Sequence, residues 1–256
     1  MQRKMRLITA SIALLLALIV FNLPGAFAQS ETQSALRFVH VIPGVQDIDV
    51  YINDSLSVSG LSFGEATTYI TVPTGTVNLR VTLAGLTTAL WEQPVPVPPG
   101  DNYTLIASST DPLNFASFRD DPTSLGLGTA RIMVVHALSG DPAVDFRVNG
   151  DLVVGDLQYG GFVNSIDVPA NTYEMSFVPT GGSEADAVLP ATPIALTSLT
   201  TQIVVLYGTA SSAQTLVLTT PTVPAGDAGF VRFTHGAADA AEVNILLNGT
   251  LVVPSL

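Results

Sequence analysis

Three histidines at near-equal spacing organise this chain. His40 follows Arg37-Phe38-Val39, His136 follows Met133-Val134-Val135, and His235 follows Arg232-Phe233-Thr234. The spacings are 136 − 40 = 96 and 235 − 136 = 99 residues. Nine residues after each histidine stands Asp49, Asp145 or Asn244, and thirteen after it Asn53, Asn149 or Asn248. Apolar triplets follow, Leu152-Val153-Val154 and Leu251-Val252-Val253 being nearly identical. Matches at fixed offsets mark a repeat architecture, in which each copy is one structural unit.

Units one and two agree further along. Ser62-Phe63-Gly64 answers Gln158-Tyr159-Gly160, and Ile70-Thr71-Val72-Pro73 answers Ile166-Asp167-Val168-Pro169. Joints rich in Pro, Gly and Asp separate the units at 120–128 and 221–229. The expected organisation is a leader over 1–28, a first repeat over 29–125, a second over 126–225 and the start of a third over 226–256. From Gly229 the third has 256 − 229 + 1 = 28 residues, against a spacing of 96 to 99. The expectation is that the chain is cut short relative to its gene, or that this segment borrows cover from the second unit. Open strand edges left uncovered invite aggregation.

Within a unit the pattern is β. Val50-Tyr51-Ile52 and Phe146-Arg147-Val148 are strand-like, and Thr76 to Leu83 alternates apolar and polar residues. Asn149-Gly150 and Asn248-Gly249 favour type I′ hairpin turns, whose two central residues both take positive φ. Asn53-Asp54 tolerates the same region less readily. No segment after residue 28 shows a capped 3.6-residue period. Seven or eight short strands per unit predict an all-β fold of tandem immunoglobulin-like antiparallel β-sandwiches. The Cys–Trp–Cys signature of immunoglobulin domains is absent, and Trp91, the single tryptophan, lies late in unit one.

The first 28 residues predict export. Arg3, Lys4 and Arg6 precede an apolar run from Leu7 to Val20, and Ala26-Phe27-Ala28 places small residues before Gln29. Without them 256 − 28 = 228 residues remain, with a charge balance of 6 − 21 = −15 and no lysine. A lysine Schiff base and a P-loop are thereby excluded. The chain has no cysteine, which excludes disulfide scaffolds, iron–sulfur centres and thiol enzymes. An acidic chain is not expected to bind nucleic acid. Beyond residue 28 no apolar run reaches the roughly 18 residues of a membrane span, so no membrane insertion is expected after leader removal.

The run Arg37-Phe38-Val39-His40, Asp49-Val50-Tyr51-Ile52-Asn53, Leu61-Ser62-Phe63-Gly64 and Val72-Pro73-Thr74-Gly75 resembles the bacterial secreted repeat family called domain of unknown function 4397. The stretch from His136 to Gly150 is the nearest match. Unit three departs, with Asn244 in place of the Asp and no Pro following His235. The resemblance implies exported, often tandem β-sandwich domains on cell surfaces. It implies no catalytic mechanism.

The His/Asp pairs invite a comparison with a general base oriented by a carboxylate. No G-x-S-x-G accompanies them, and unit three has Asn at the acidic position. A residue set repeated in every module suits module building. The expected role of His40 with Asp49, and of His136 with Asp145, is a structural hydrogen bond that closes a loop. Asn53 and Asn149, and His235, Asn244 and Asn248 in unit three, belong to the same signature. One His per unit is too few for zinc. Calcium takes oxygen ligands, and Asp47 with Asp49, Asp120 with Asp121 and Asp141 with Asp145 supply them. Acidic turn residues bind backbone without any metal, so no cofactor is expected. Three Asn-x-Ser/Thr sequences, at Asn53, Asn102 and Asn248, are read as turn and strand residues without glycan. The expected function is a non-catalytic surface module, structural, adhesive or binding, with an extracellular protein or polysaccharide as partner. The alternative is a set of carbohydrate- or polymer-binding repeats accessory to an exported hydrolase.

Overall fold

A computed structural model describes residues 33–110, 113–121, 123–140, 143–225, 243–247 and 250–253. The expected leader, Asp141, His235 and Asn248 lie outside the described residues. Repeat 1 forms β1 (Ser34–His40), β2 (Ile48–Ile52), β3 (Ser55–Leu61), β4 (Glu65–Ala66), β5 (Ile70–Val72), β6 (Gly75–Leu83), β7 (Ala89–Val97), β8 (Asn102–Thr110) and β9 (Leu113–Arg119). Repeat 2 forms β10 (Thr129–Ser139), β11 (Val144–Val148), β12 (Asp151–Leu157), β13 (Phe162–Pro169), β14 (Thr172–Pro179), β15 (Leu189–Ala195), β16 (Thr200–Thr209) and β17 (Gln214–Pro221). A hairpin of β18 (Ile245–Leu247) and β19 (Thr250–Val253) follows.

Each repeat is a two-sheet sandwich. In repeat 1 one sheet runs β3-β2-β6-β7 and the other β4-β1-β8-β9, with β5 also on β1. Repeat 2 repeats this as β12-β11-β14-β15 and β13-β10-β16-β17. The tandem β-sandwich expectation therefore holds, with one refinement. The first strand of each repeat pairs in parallel with the last but one, β1 with β8 and β10 with β16. All other ladders are antiparallel. Repeat 1 has two short strands where repeat 2 has β13. Between them Thr67 donates its amide to the Phe38 carbonyl and accepts the Phe38 amide on its own hydroxyl, so a side chain replaces one ladder bond.

The turns follow the dipeptides. Asn53 and Asp54 have φ of +48° and +64°, and Asn149 and Gly150 have +51° and +86°. Both central residues are left-handed, as a type I′ hairpin requires.

Each sandwich has its own core. Leu36, Phe38, Val50, Leu79 and Leu105 belong to the first, and Val134, Phe146, Met175, Phe177 and Val204 to the second. A third core joins the repeats. Val39, Val41, Ile106 and Phe118 of repeat 1 cluster with Met133, Val135, Ala137, Ile203, Val205 and Leu218 of repeat 2. These residues stand on the outward faces of the β1 and β10 sheets. That is why β10 and β16 are buried along nearly their whole length: both faces of each strand are covered.

The contact is close to two-fold. Aligned on the histidines and the β-ladders, Val39 corresponds to Val135, Ile106 to Val205 and Phe118 to Leu218. Phe63 packs edge-on against Tyr207 across the joint, with ring centroids 5.4 Å apart. Its counterpart Tyr159 reaches back the other way and donates its hydroxyl to Ser108, the counterpart of Tyr207, at 2.9 Å. Phe118 meets Phe162 at 4.8 Å. Equivalent faces thus meet reciprocally, as in an isologous dimer, here within one chain.

Candidate functional site

The repeat signature is the candidate site. His40 ends β1 and is fully buried. Its Nδ1 accepts the Ile42 amide at 3.4 Å, which leaves the proton on Nε2. Nε2–H donates to the Gln46 carbonyl at 3.2 Å and so ties down the loop from β1 to β2. The His40 carbonyl accepts the Gly64 amide, and the ring stands edge-on to Phe63 at 6.1 Å. His136 is equally buried and repeats the pattern. Its Nδ1 accepts the Leu138 amide at 3.3 Å, its carbonyl accepts the Gly160 amide, and its ring stands edge-on to Tyr159 at 6.1 Å. Each histidine therefore supports the aromatic residue that crosses to the other repeat.

The expected bond from the histidine to the aspartate is corrected here. In both repeats the carboxylate binds backbone amides on either side of its own strand. Asp49 accepts the Gly60 amide at 2.8 Å on one oxygen and the Gly85 amide at 2.9 Å on the other. Asp145 accepts the Asp156 amide at 3.0 Å and the Gly181 amide at 3.3 Å. The spacings are 11 and 36 residues in both repeats. All four donors have left-handed backbone, with φ from +56° to +78°. At a β-bulge or tight turn such a residue points its amide out of the ladder, and the carboxylate collects it. In repeat 1 the loop from β1 to β2 is closed instead by His40 on the Gln46 carbonyl.

Asn53 and Asn149 do more than turn the chain. Asn53 Oδ1 accepts the Asn78 amide at 2.9 Å, and Asn149 Oδ1 accepts the Glu174 amide at 3.0 Å. Each hairpin is thereby pinned to the third strand of its sheet. Asn244 is exposed and precedes β18.

Burial, the largest cause, lowers the His40 pKa from its ordinary 6.5, while the bonds to Gln46 and Val45 and the charge of Asp47 raise it less. The folded state therefore holds a proton less tightly than the unfolded one. The stabilisation is complete above about pH 6.5 and is lost as pH falls through the folded value. Stability measured by denaturant melts at stepwise lower pH is expected to fall from near 6.5 downward. His40→Gln is expected to flatten that segment. For Asp145 the sign is that of a carboxylate. The Asp156 amide, chiefly, then Gly181, Thr180 and Arg147 lower its pKa against the cost of burial. Asp145→Ala leaves two partly buried amides without their carboxylate and is expected to lower stability by about 1–3 kcal/mol. Asp145→Asn, which retains an acceptor, is expected to lose less.

A second polar group was not expected from the sequence. Arg37 is buried and donates from Nε and Nη2 to Thr104 Oγ1 at 3.1 and 2.9 Å. Its Nη2 lies 3.7 Å from Asp120, and its guanidinium lies 4.7 Å over the Tyr69 ring. Tyr69 and Thr104 both donate to Asp120, and Arg37 Nη1 reaches Thr220 of repeat 2 at 3.3 Å. Arg131 holds the joint in a similar way. It grips Asp167 with two bonds at 2.7 and 3.0 Å and also binds Asp121 and the Thr123 carbonyl. Adjacent Asp120 and Asp121 thus face different arginines. Among the described residues no group of three His, Cys, Asp or Glu side chains is placed to hold a metal ion. Among them, too, no helix is long and apolar enough to cross a membrane.

Two similar sandwiches, each closed by a buried histidine and an amide-binding aspartate, define a tandem repeat protein. The chain belongs to the family described as Domain of unknown function (DUF4397), which matches residues 34–138 and again 130–246. No curated protein matches the chain.

Proposed function

We propose that this chain is an exported, non-catalytic module of the cell surface, structural, adhesive or binding. Its loops would present the contact surface for an extracellular protein or polysaccharide. The observation that carries the reading is the use of the repeat signature. His40, Asp49, Asn53, Asp145 and Asn149 bind the backbone of their own repeat. Side chains so engaged build a scaffold, and binding residues then sit on the loops that the scaffold holds.

Expression with the native leader tests export. The expected product is found outside the cytoplasm with its N-terminus at Gln29, read by intact mass. A cytoplasmic protein that keeps Met1 would contradict the proposal. The non-catalytic reading has its own test: an enzymatic activity lost in His136→Asn, in protein that stays folded, would overturn it.

A further inference from the structure

Repeat 2 contains a pocket of about 130 Å³ between its two sheets, walled only by apolar and aromatic residues. Val134, Phe146 and Met175 line its interior, and Val153 and Ile166, 45% and 41% exposed, stand at the mouth. The offset of 96 residues supplies an internal comparison. Where repeat 2 has Val134, repeat 1 has Phe38, whose ring is buried in the first core. Phe146 replaces Val50, so a ring returns on the opposite sheet. That ring lies against Phe177, with centroids 5.1 Å apart, and does not close the space.

The mouth differs in the same direction. Repeat 1 has Ser57 and Thr67 where repeat 2 has Val153 and Val163. Thr67 uses its hydroxyl on the Phe38 amide, whereas Val163 lines the pocket. The one polar atom among the lining side chains, the Tyr173 hydroxyl, donates to the Pro169 carbonyl at 2.9 Å. A water held inside needs two to four polar partners, and these walls offer none. Enclosed apolar cavities on the order of 150 Å³ stay dry and take up benzene or xenon; this pocket has similar size and lining and differs in opening past Val153 and Ile166.

We infer that repeat 2, and not repeat 1, binds an apolar group the size of a benzene ring, seated between Val134, Phe146 and Met175 and entered past Val153 and Ile166. This site goes beyond the surface-module reading and does not depend on it.

The test uses the chain without its leader and benzene as probe. Methyl NMR during titration is expected to show saturable shifts at Val134, Val163, Ile166 and Met175, with a rise in melting temperature. Val134→Phe restores the ring of repeat 1 and is expected to weaken benzene at least tenfold. Should that variant fail to fold, Val153→Ser and Val163→Thr alter only the rim and are expected to weaken it several-fold. Absence of saturable shifts at these methyls would overturn the inference. So would shifts centred on Val50 and Leu79 of repeat 1, or unchanged affinity in the folded variants.

Discussion

Repeat 2 expressed alone, as residues 126–225, is expected to form a homodimer. Its β10–β16–β17 face carries Met133, Val135, Ala137, Ile203, Val205 and Leu218, all of which are buried in the joint with repeat 1. Removing repeat 1 uncovers them together, and a contiguous apolar patch in water seeks a partner. The face meets its counterpart reciprocally, so a second copy can replace repeat 1 with nearly the same geometry. Burying each of these side chains other than Ala137 stabilises by roughly 1.5–3 kcal/mol, so the effect is large. Light scattering during size exclusion is the measurement. Val205→Arg in the isolated repeat is expected to give a monomer, since it places an unpaired charge at the centre of the face. The same substitution in the full chain is expected to cost several kcal/mol. A wild-type repeat that is monomeric and as stable as the whole chain would show that the joint contributes nothing.

The joint was partly legible in the sequence. Repeats, β-class and hairpin turns follow from local chemistry: the dipeptides at 53 and 149 accept left-handed backbone, Asn-Gly more readily than Asn-Asp, and alternation over 76–83 marks a strand with one covered face. The runs Ile132-Met133-Val134-Val135 and Ile203-Val204-Val205-Leu206 do not alternate. A strand that is apolar on both sides is covered on both sides, and repeat 2 needed a second neighbour for that reason. What the pattern omits is which neighbour, because apolar packing is non-directional and any complementary face would serve. The partners of the aspartate are hidden in the sequence for a related reason. They are amides of Gly60, Gly85, Asp156 and Gly181, and backbone amides exist at every non-proline position. Proximity in sequence favoured the histidine. The recurring Gly at 85 and 181, each left-handed and 36 residues past an aspartate, was the available signal.

The Arg37–Asp120 group gives the second large effect. Arg37→Met is expected to lower stability by about 3–5 kcal/mol, because it removes one partner of a buried ion pair and strands the other. Asp120 shows why. Burial already raises its carboxyl pKa above the ordinary value of 3.8, against the lowering effects of Tyr69, Arg37 and Thr104. A carboxyl raised on folding favours the fold fully below the unfolded pKa, and that contribution is lost as pH rises through the folded value. At neutral pH the buried charge therefore opposes folding, and Arg37 offsets part of the cost. Without Arg37 the carboxyl rises further. The gap between variant and wild type is then expected to narrow as pH is lowered from 7 toward 4, where Asp120 takes a proton. Groups that titrate alike in both proteins, His40 among them, cancel in that difference. Arg37→Met with Asp120→Leu removes both charges and is expected to recover most of the loss. Thr220→Val, on the far side of the joint, removes a hydroxyl that meets both Arg37 Nη1 and the Tyr69 hydroxyl at 3.3 Å and is expected to cost about 1–2 kcal/mol. Denaturant melts of the wild type and the three variants at several pH values measure all of this. A pH-independent gap for Arg37→Met would mean that lost packing of its long side chain against Tyr69, rather than the charge left on Asp120, sets the cost.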